Sequence, residues 1–164
     1  MMRLTRFRSR RLLLLAAVTA LFAFSHANAQ SWAGIRSGYP LGVTLHYGMK
    51  NALSNGFDLR VSGRITAHGG SARIGIGVDA MGTVLAEGPF SVYIGAGPAL
   101  EFGNGGAWLD IHALAGGEFR FADFGLAPLG LFVEATLGGS IGLGAGSAAQ
   151  IPTFGVAVGV NYHF

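Results

Sequence analysis

The 164-residue chain has no cysteine, a single lysine (Lys50) and five prolines, and only 12% of its residues are charged. Without cysteine there is no disulfide framework, no thiolate metal site and no cysteine to carry a lipid anchor. The five histidines are scattered and show no metal-ligand spacing. Scarce lysine is unusual for a solvated surface, which normally carries Lys, Glu and Asp. Long apolar runs are missing too. The longest, Leu12 to Phe24, covers 13 residues, short of the roughly 20 that a transmembrane helix needs. The Gly-rich pieces Gly69-Gly70 and Gly142 to Gly146 lack a following Lys-Ser/Thr, so they are not phosphate-binding loops.

What is present begins with an N-terminal address. Met1 to Arg11 holds five arginines (3, 6, 8, 10 and 11) and no acid, an apolar stretch follows, and Ala27-Asn28-Ala29 is a small-x-small cleavage site. Residues 1–29 therefore read as a secretory signal peptide cleaved before Gln30, and residues 30–164 as one domain. Five of the eleven Lys+Arg leave with the signal, so six basic residues face eight acidic ones in the mature part. The sequence pI of about 9.8 belongs to the signal and gives no reason to expect nucleic-acid binding. All 28 glycines lie in the mature part.

From residue 31 onward apolar residues recur at every second position. In Thr153 to Phe164, Phe154, Val156, Val158, Val160, Tyr162 and Phe164 alternate with Gly155, Ala157, Gly159, Asn161 and His163. Period two marks a strand with one apolar side. Seven more segments obey it: Ser31–Gly38, Leu41–Gly48, Phe57–Ala67, Ala72–Thr83, Phe90–Phe102, Trp108–Phe121 and Gly130–Ile141. Turn signals separate them at Tyr39-Pro40, Lys50–Gly56, His68–Ser71, Glu87–Pro89, Gly103–Ala107 and Ala122–Pro128, with Gly142–Pro152 as the longest loop. Residues 31–48 also read as one strand bent at Pro40. Eight strands keep both ends of the domain on one side, as single-chain bacterial barrels require, and are preferred. Pro98 cannot donate a ladder bond and is expected at a bulge or a rim.

A soluble barrel turns its apolar face inward, and a membrane barrel turns it out to lipid. Threading eight strands up and down brings Tyr47, Phe57, Phe90, Phe119, Phe121, Tyr162 and Phe164 to one end, with Tyr39, Phe102 and Phe154 at the other and aliphatic residues between. Two aromatic girdles around an aliphatic band belong to a membrane barrel. The polar face then lines the lumen: Arg36, Asp58, Arg60, Arg64, Arg73, Asp79, Glu101, Asp110, His112, Glu118, Arg120 and Glu134. Charges in so narrow a lumen must pair, and glycines 75, 77, 95, 97, 116, 138, 155 and 159 leave room for Arg60, Arg64, Tyr93, Trp108 and Phe132. The expected fold is all-β, an eight-stranded antiparallel up-and-down transmembrane β-barrel.

Gly159 to Phe164 (GVNYHF) resembles the C-terminal assembly signal of bacterial outer-membrane barrels, carried by Gly159, Tyr162 and Phe164, although Ala157 stands where that signal has a polar residue. The overall plan resembles the small OmpA/OmpX-type barrel family, without a periplasmic domain. That resemblance implies outer-membrane lipid as surroundings, and barrel-assembly machinery and periplasmic chaperones as partners in biogenesis. The expected role is non-enzymatic, structural or interactive at the envelope, for a monomer without cofactors whose lumen is plugged by ion pairs. A narrow channel for ions or small solutes is the alternative. A lipid-modifying barrel enzyme would need a Ser/His/acid set at the outer rim, and Asp110, His112 and Glu101 have no serine placed beside them. A soluble lipocalin-like binder is the remaining reading.

Overall fold

The computed structural model describes residues 30–68, 71–103, 106–144 and 149–164. The expected signal peptide, the centres of the turns at 69–70 and 104–105, and residues 145–148 of the longest loop lie outside the described residues.

Eight antiparallel strands run in order β1 (Ser31–Tyr39), β2 (Gly42–Ser54), β3 (Phe57–His68), β4 (Ser71–Glu87), β5 (Phe90–Gly103), β6 (Gly106–Arg120), β7 (Leu129–Leu143) and β8 (Ala149–His163). Each pairs with its neighbour, and β1 pairs with β8 from Trp32↔His163 to Tyr39↔Val156, which closes the barrel. Ser31 and Phe164 exchange backbone hydrogen bonds at the seam (3.0 and 2.9 Å). Closure removes the free edges that an open sheet would present.

Residues 31–48 form a hairpin, with Ser31↔Met49 at one end and Gly38↔Gly42 at the other. Three expectations are corrected. Lys50–Ser54, read as turn, continues β2 across a register shift between Met49 and Ser54, which leaves Asn55-Gly56 as the turn. The segment Gly142–Pro152 is mostly strand, because β7 runs to Leu143 and β8 starts at Ala149. Pro98 sits at neither a bulge nor a rim. It keeps register opposite Ile111 inside β5, and the β4–β5 ladder skips it and Gly97 between Gly77↔Ala99 and Ala80↔Ala96. A missing N–H thus costs a local gap in the ladder rather than a bend of the strand.

The burial pattern is inverted relative to a soluble protein. Among the described residues, six apolar side chains are buried against twelve polar or charged ones. Ile74, Ile76, Ile111, Val133 and Val158 stand exposed on the outer wall. No helix among the described residues is long and apolar enough to cross a membrane.

The girdle follows the register. Tyr47 lies opposite Ala33, Ala33 opposite Tyr162, and Tyr162 opposite Leu129; Phe90 pairs with Phe119. Phe164 joins Tyr47 and Tyr162, with ring centroids 6.1 and 6.2 Å apart. These five aromatics therefore lie at the end that carries residues 30 and 164, called here the terminal end, as does Phe57 at the β2–β3 turn.

Candidate functional site in the barrel lumen

Alternation aims one side chain in two at the axis. The inward charges gather in three layers. The middle layer holds Arg36 from β1, Arg60 from β3, Asp79 from β4 and Glu134 from β7. Arg60 stands opposite Asp79 in the ladder and donates from Nε to its Oδ2 at 2.9 Å. Across the lumen it donates to both Glu134 oxygens, at 2.6 and 3.2 Å. Arg36 pairs with Glu134 Oε1, the Tyr93 hydroxyl donates to Glu134 Oε2 at 3.3 Å, and His112 Nε2 lies 3.0 Å from Asp79 Oδ1. Two guanidinium groups balance two carboxylates. Bidentate geometry and extra donors are what let such a buried set offset its desolvation.

Toward the far end, Arg64 reaches Glu101 Oε1 at 2.9 Å and Asp110 Oδ2 at 3.0 Å. Arg73 reaches Glu101 Oε2 at 3.5 Å and lies 4.0 Å from the Trp108 ring centroid, a cation–π contact. This layer also balances two arginines against two acids. Toward the terminal end, Arg120 donates to His163 Nδ1 at 2.6 Å, and His163 Nε2 meets Glu118 Oε1 at 2.5 Å. Arginine can only donate, so Nδ1 accepts and Nε2 carries the proton given to Glu118. Arg120 was expected to pair with a carboxylate; the imidazole stands between them. Asp58 is a second correction. Instead of joining the lumen network it accepts the Asn51 backbone N–H at 2.9 Å in the β2–β3 hairpin.

Glycine decides which inward side chains meet. Residues two strands apart share a level, and the strand between would separate them with its own side chain. Gly75 sits between Arg64 and Glu101 in the registers. A Cβ there would stand 3.1 Å from Glu101 Cγ and 3.2 Å from Arg64 Cγ. Gly116 lies between Tyr93 and Glu134, and its Cβ would fall 2.5 Å from the Tyr93 ring. Gly159 separates Phe132 from Arg36, and Gly97 pairs with His112 while its Cβ would meet Asp79 Oδ1 at 2.7 Å. Gly116→Ala should therefore destabilise the barrel by about 1–3 kcal/mol through overpacking. Gly63→Ala is the control, since a Cβ there meets nothing within 4 Å. Urea midpoints in detergent micelles compare the two, and equal midpoints would remove this account of the glycines.

Several inward groups had no role in the sequence reading. His46 bonds Asn161 at 2.8 Å and stacks edge-on against Phe132 with centroids 5.6 Å apart. Trp32 packs at the terminal end with Met81, Tyr93 and Leu114. The inward phase of each strand was the available signal. It marks orientation but not the partner across the bore.

The layers leave two cavities. One of about 550 Å³ opens at the far end and is lined by Arg36, Arg64, Arg73, Glu101, Asp110, His112 and Glu134 with small residues of β1 and β8. The other, about 220 Å³, opens at the terminal end among Trp32, Arg60, Tyr93, Glu118, Arg120, Asn161 and His163. No residue lines both. Arg60, Asp79, Phe132 and Glu134 are each less than 2% exposed. Among the described residues no group of three or more His, Asp or Glu is set to hold a metal.

No family model and no curated protein matches the sequence. Solved structures do. The N-terminal β-barrel domain of Pseudomonas aeruginosa OprF aligns with TM-score 0.51 at 16% identity, over 83% of this chain and 96% of that one. Neisserial surface protein A (NspA) aligns with TM-score 0.50 at 16% identity, over 83% and 94%. The fold is that of a small transmembrane β-barrel. The outer membrane enzyme PagL also aligns, at TM-score 0.42 and 14% identity over 83% of this chain and 99% of that one, a likeness too low to bear on this barrel's chemistry. The barrel's outer wall agrees with its fold, because an apolar exterior and a charged interior are stable only where lipid lies outside.

Proposed function

We propose that the protein is a non-enzymatic barrel of the outer membrane, exported by residues 1–29, with a structural or envelope-interaction role and a lumen closed by ion pairs. The observation that carries this reading is the septum. Arg60, Asp79, Phe132 and Glu134 lie between two cavities that share no lining residue. The charges there balance, so no unpaired charge is left to draw an ion through. His112 points into the lumen with Nε2 on Asp79, away from an outer rim where a lipid-directed nucleophile would act. The terminal end then faces the periplasm, and Gly159, Tyr162 and Phe164 present the assembly signal there to barrel-assembly machinery and chaperones.

The test is conductance. The protein reconstituted in planar bilayers should show no steady current, and Arg60→Ala, which removes the residue bridging Asp79 and Glu134, should introduce one. A steady current through the unaltered protein, reduced by Arg64→Ala, would replace the plug by a pore. That second reading has one observation in its favour: a single layer separates two open cavities, so a small rearrangement would join them.

A further inference from the structure

Three connections at the terminal end join consecutive strands, and one is unlike the others. The β2–β3 turn, Asn55-Gly56, is polar: Asn51 N–H bonds Asp58 Oδ1 at 2.9 Å and Gly56 N–H bonds Asn51 Oδ1 at 2.8 Å. Gly88-Pro89, after Glu87, joins β4 to β5. The β6–β7 connection runs from Phe121 to Pro128 and contains one charge, Asp123. Phe119, Phe121 and Phe124 form a cluster with ring centroids 5.3, 6.4 and 6.3 Å apart. Phe124 is 70% exposed and Leu126 51%.

The backbone of this turn is partly bonded within itself. Residues 122–124 make one 3-10 turn, closed by Phe124 N–H to Phe121 O and Gly125 N–H to Ala122 O, both 3.1 Å. Leu126 N–H also reaches Phe121 O (3.1 Å), Leu129 N–H reaches Leu126 O (2.9 Å) and Phe121 N–H reaches Leu129 O (3.0 Å). Gly125 takes φ +76°, a left-handed conformation that only glycine enters without cost. Each internal bond lowers the cost of taking that part of the backbone out of water. Large apolar side chains left exposed on a partly self-bonded turn form a surface suited to an interface.

We infer that this turn is a membrane-interface anchor, with Phe124 and Leu126 immersed at the headgroup–acyl boundary of the phospholipid leaflet at the terminal end. The occupant follows from continuity. Phe119 belongs both to this cluster and to the girdle, where it pairs with Phe90, so the apolar outer wall runs unbroken onto the turn. Four strands separate the two turns in either direction round the ring, so Asn55-Gly56 lies on the opposite side. Its two tip residues are polar and serve as the reference for water. The inference rests on the transmembrane reading.

The absence of cysteine allows a direct test. Phe124→Cys, Leu126→Cys, Asn55→Cys and Val158→Cys each accept one nitroxide in the protein reconstituted in phosphatidylcholine–phosphatidylglycerol vesicles. Collision rates with oxygen, which concentrates in lipid, and with a water-soluble nickel chelate report depth. The oxygen-to-nickel ratio should be several-fold higher at 124 and 126 than at 55, and highest at 158. Leu126→Cys reads the turn with the phenylalanine cluster intact. A water-like ratio at 124 and 126 beside a lipid-like one at 158 overturns the anchor alone and leaves the patch to a soluble partner. A water-like ratio at 158 overturns the transmembrane reading and the anchor with it.

Discussion

Val158→Arg should abolish insertion of the barrel. Val158 lies midway along β8, paired with Ser37 on β1 and Val133 on β7, and stands 52% exposed on the outer wall. A guanidinium there meets hydrocarbon, and arginine at the midplane of a barrel's lipid face costs about 2–4 kcal/mol. The site also lies on the strand that closes the ring. Heat-modifiable migration on a gel, scored after folding into vesicles, reads the outcome: the folded band should vanish for Val158→Arg and persist for Val158→Leu. Ala157→Ser, one residue earlier and facing the far-end cavity, should fold normally. Full insertion of Val158→Arg would count decisively against lipid on that face.

The second large effect is expected inside. Glu134 is fully buried and takes contacts from Arg36, Arg60 and Tyr93. Glu134→Ala leaves two guanidinium groups with Asp79 as the one carboxylate in their layer. Breaking a buried pair by removing one partner costs about 3–5 kcal/mol. Arg36→Met added to Glu134→Ala should recover a large part of that loss, since Arg60 and Asp79 then balance again. A double-mutant cycle on urea unfolding in micelles measures the recovery. If Glu134→Ala shifts stability by less than ~0.5 kcal/mol, a typical surface effect, the septum does not hold the lumen as described.

Both predictions use side chains whose orientation was readable from alternation alone. Val158 and Glu134 occupy the expected faces because a strand's period is local: each residue turns its side chain opposite to the last, whatever lies across the sheet. Strand number and the girdle's position were legible for the same reason. Lys50 to Ser54 looked like a turn by composition, yet the strand runs on to Ser54, which pairs with Phe57 beyond a register shift. Pro98 looked disruptive, yet the strands on either side hold it in register. Asp58 had the inward phase of a lumen charge, but at the barrel's end a backbone N–H of its own hairpin is nearer than any arginine.

The sequence by itself determined an inside-out, eight-stranded wall and the set of charges pointing into it. Only the tertiary structure decided who pairs with whom. Arg60 and Glu134 are 74 residues apart and meet because the ring closes. Arg64 meets Glu101 because Gly75 stands between them. The apolar β6–β7 turn became a coherent surface only once Phe119, Phe121 and Phe124 were brought together. Orientation depends on one residue and its neighbours, whereas pairing depends on register, closure and the missing side chains between, which no local pattern encodes.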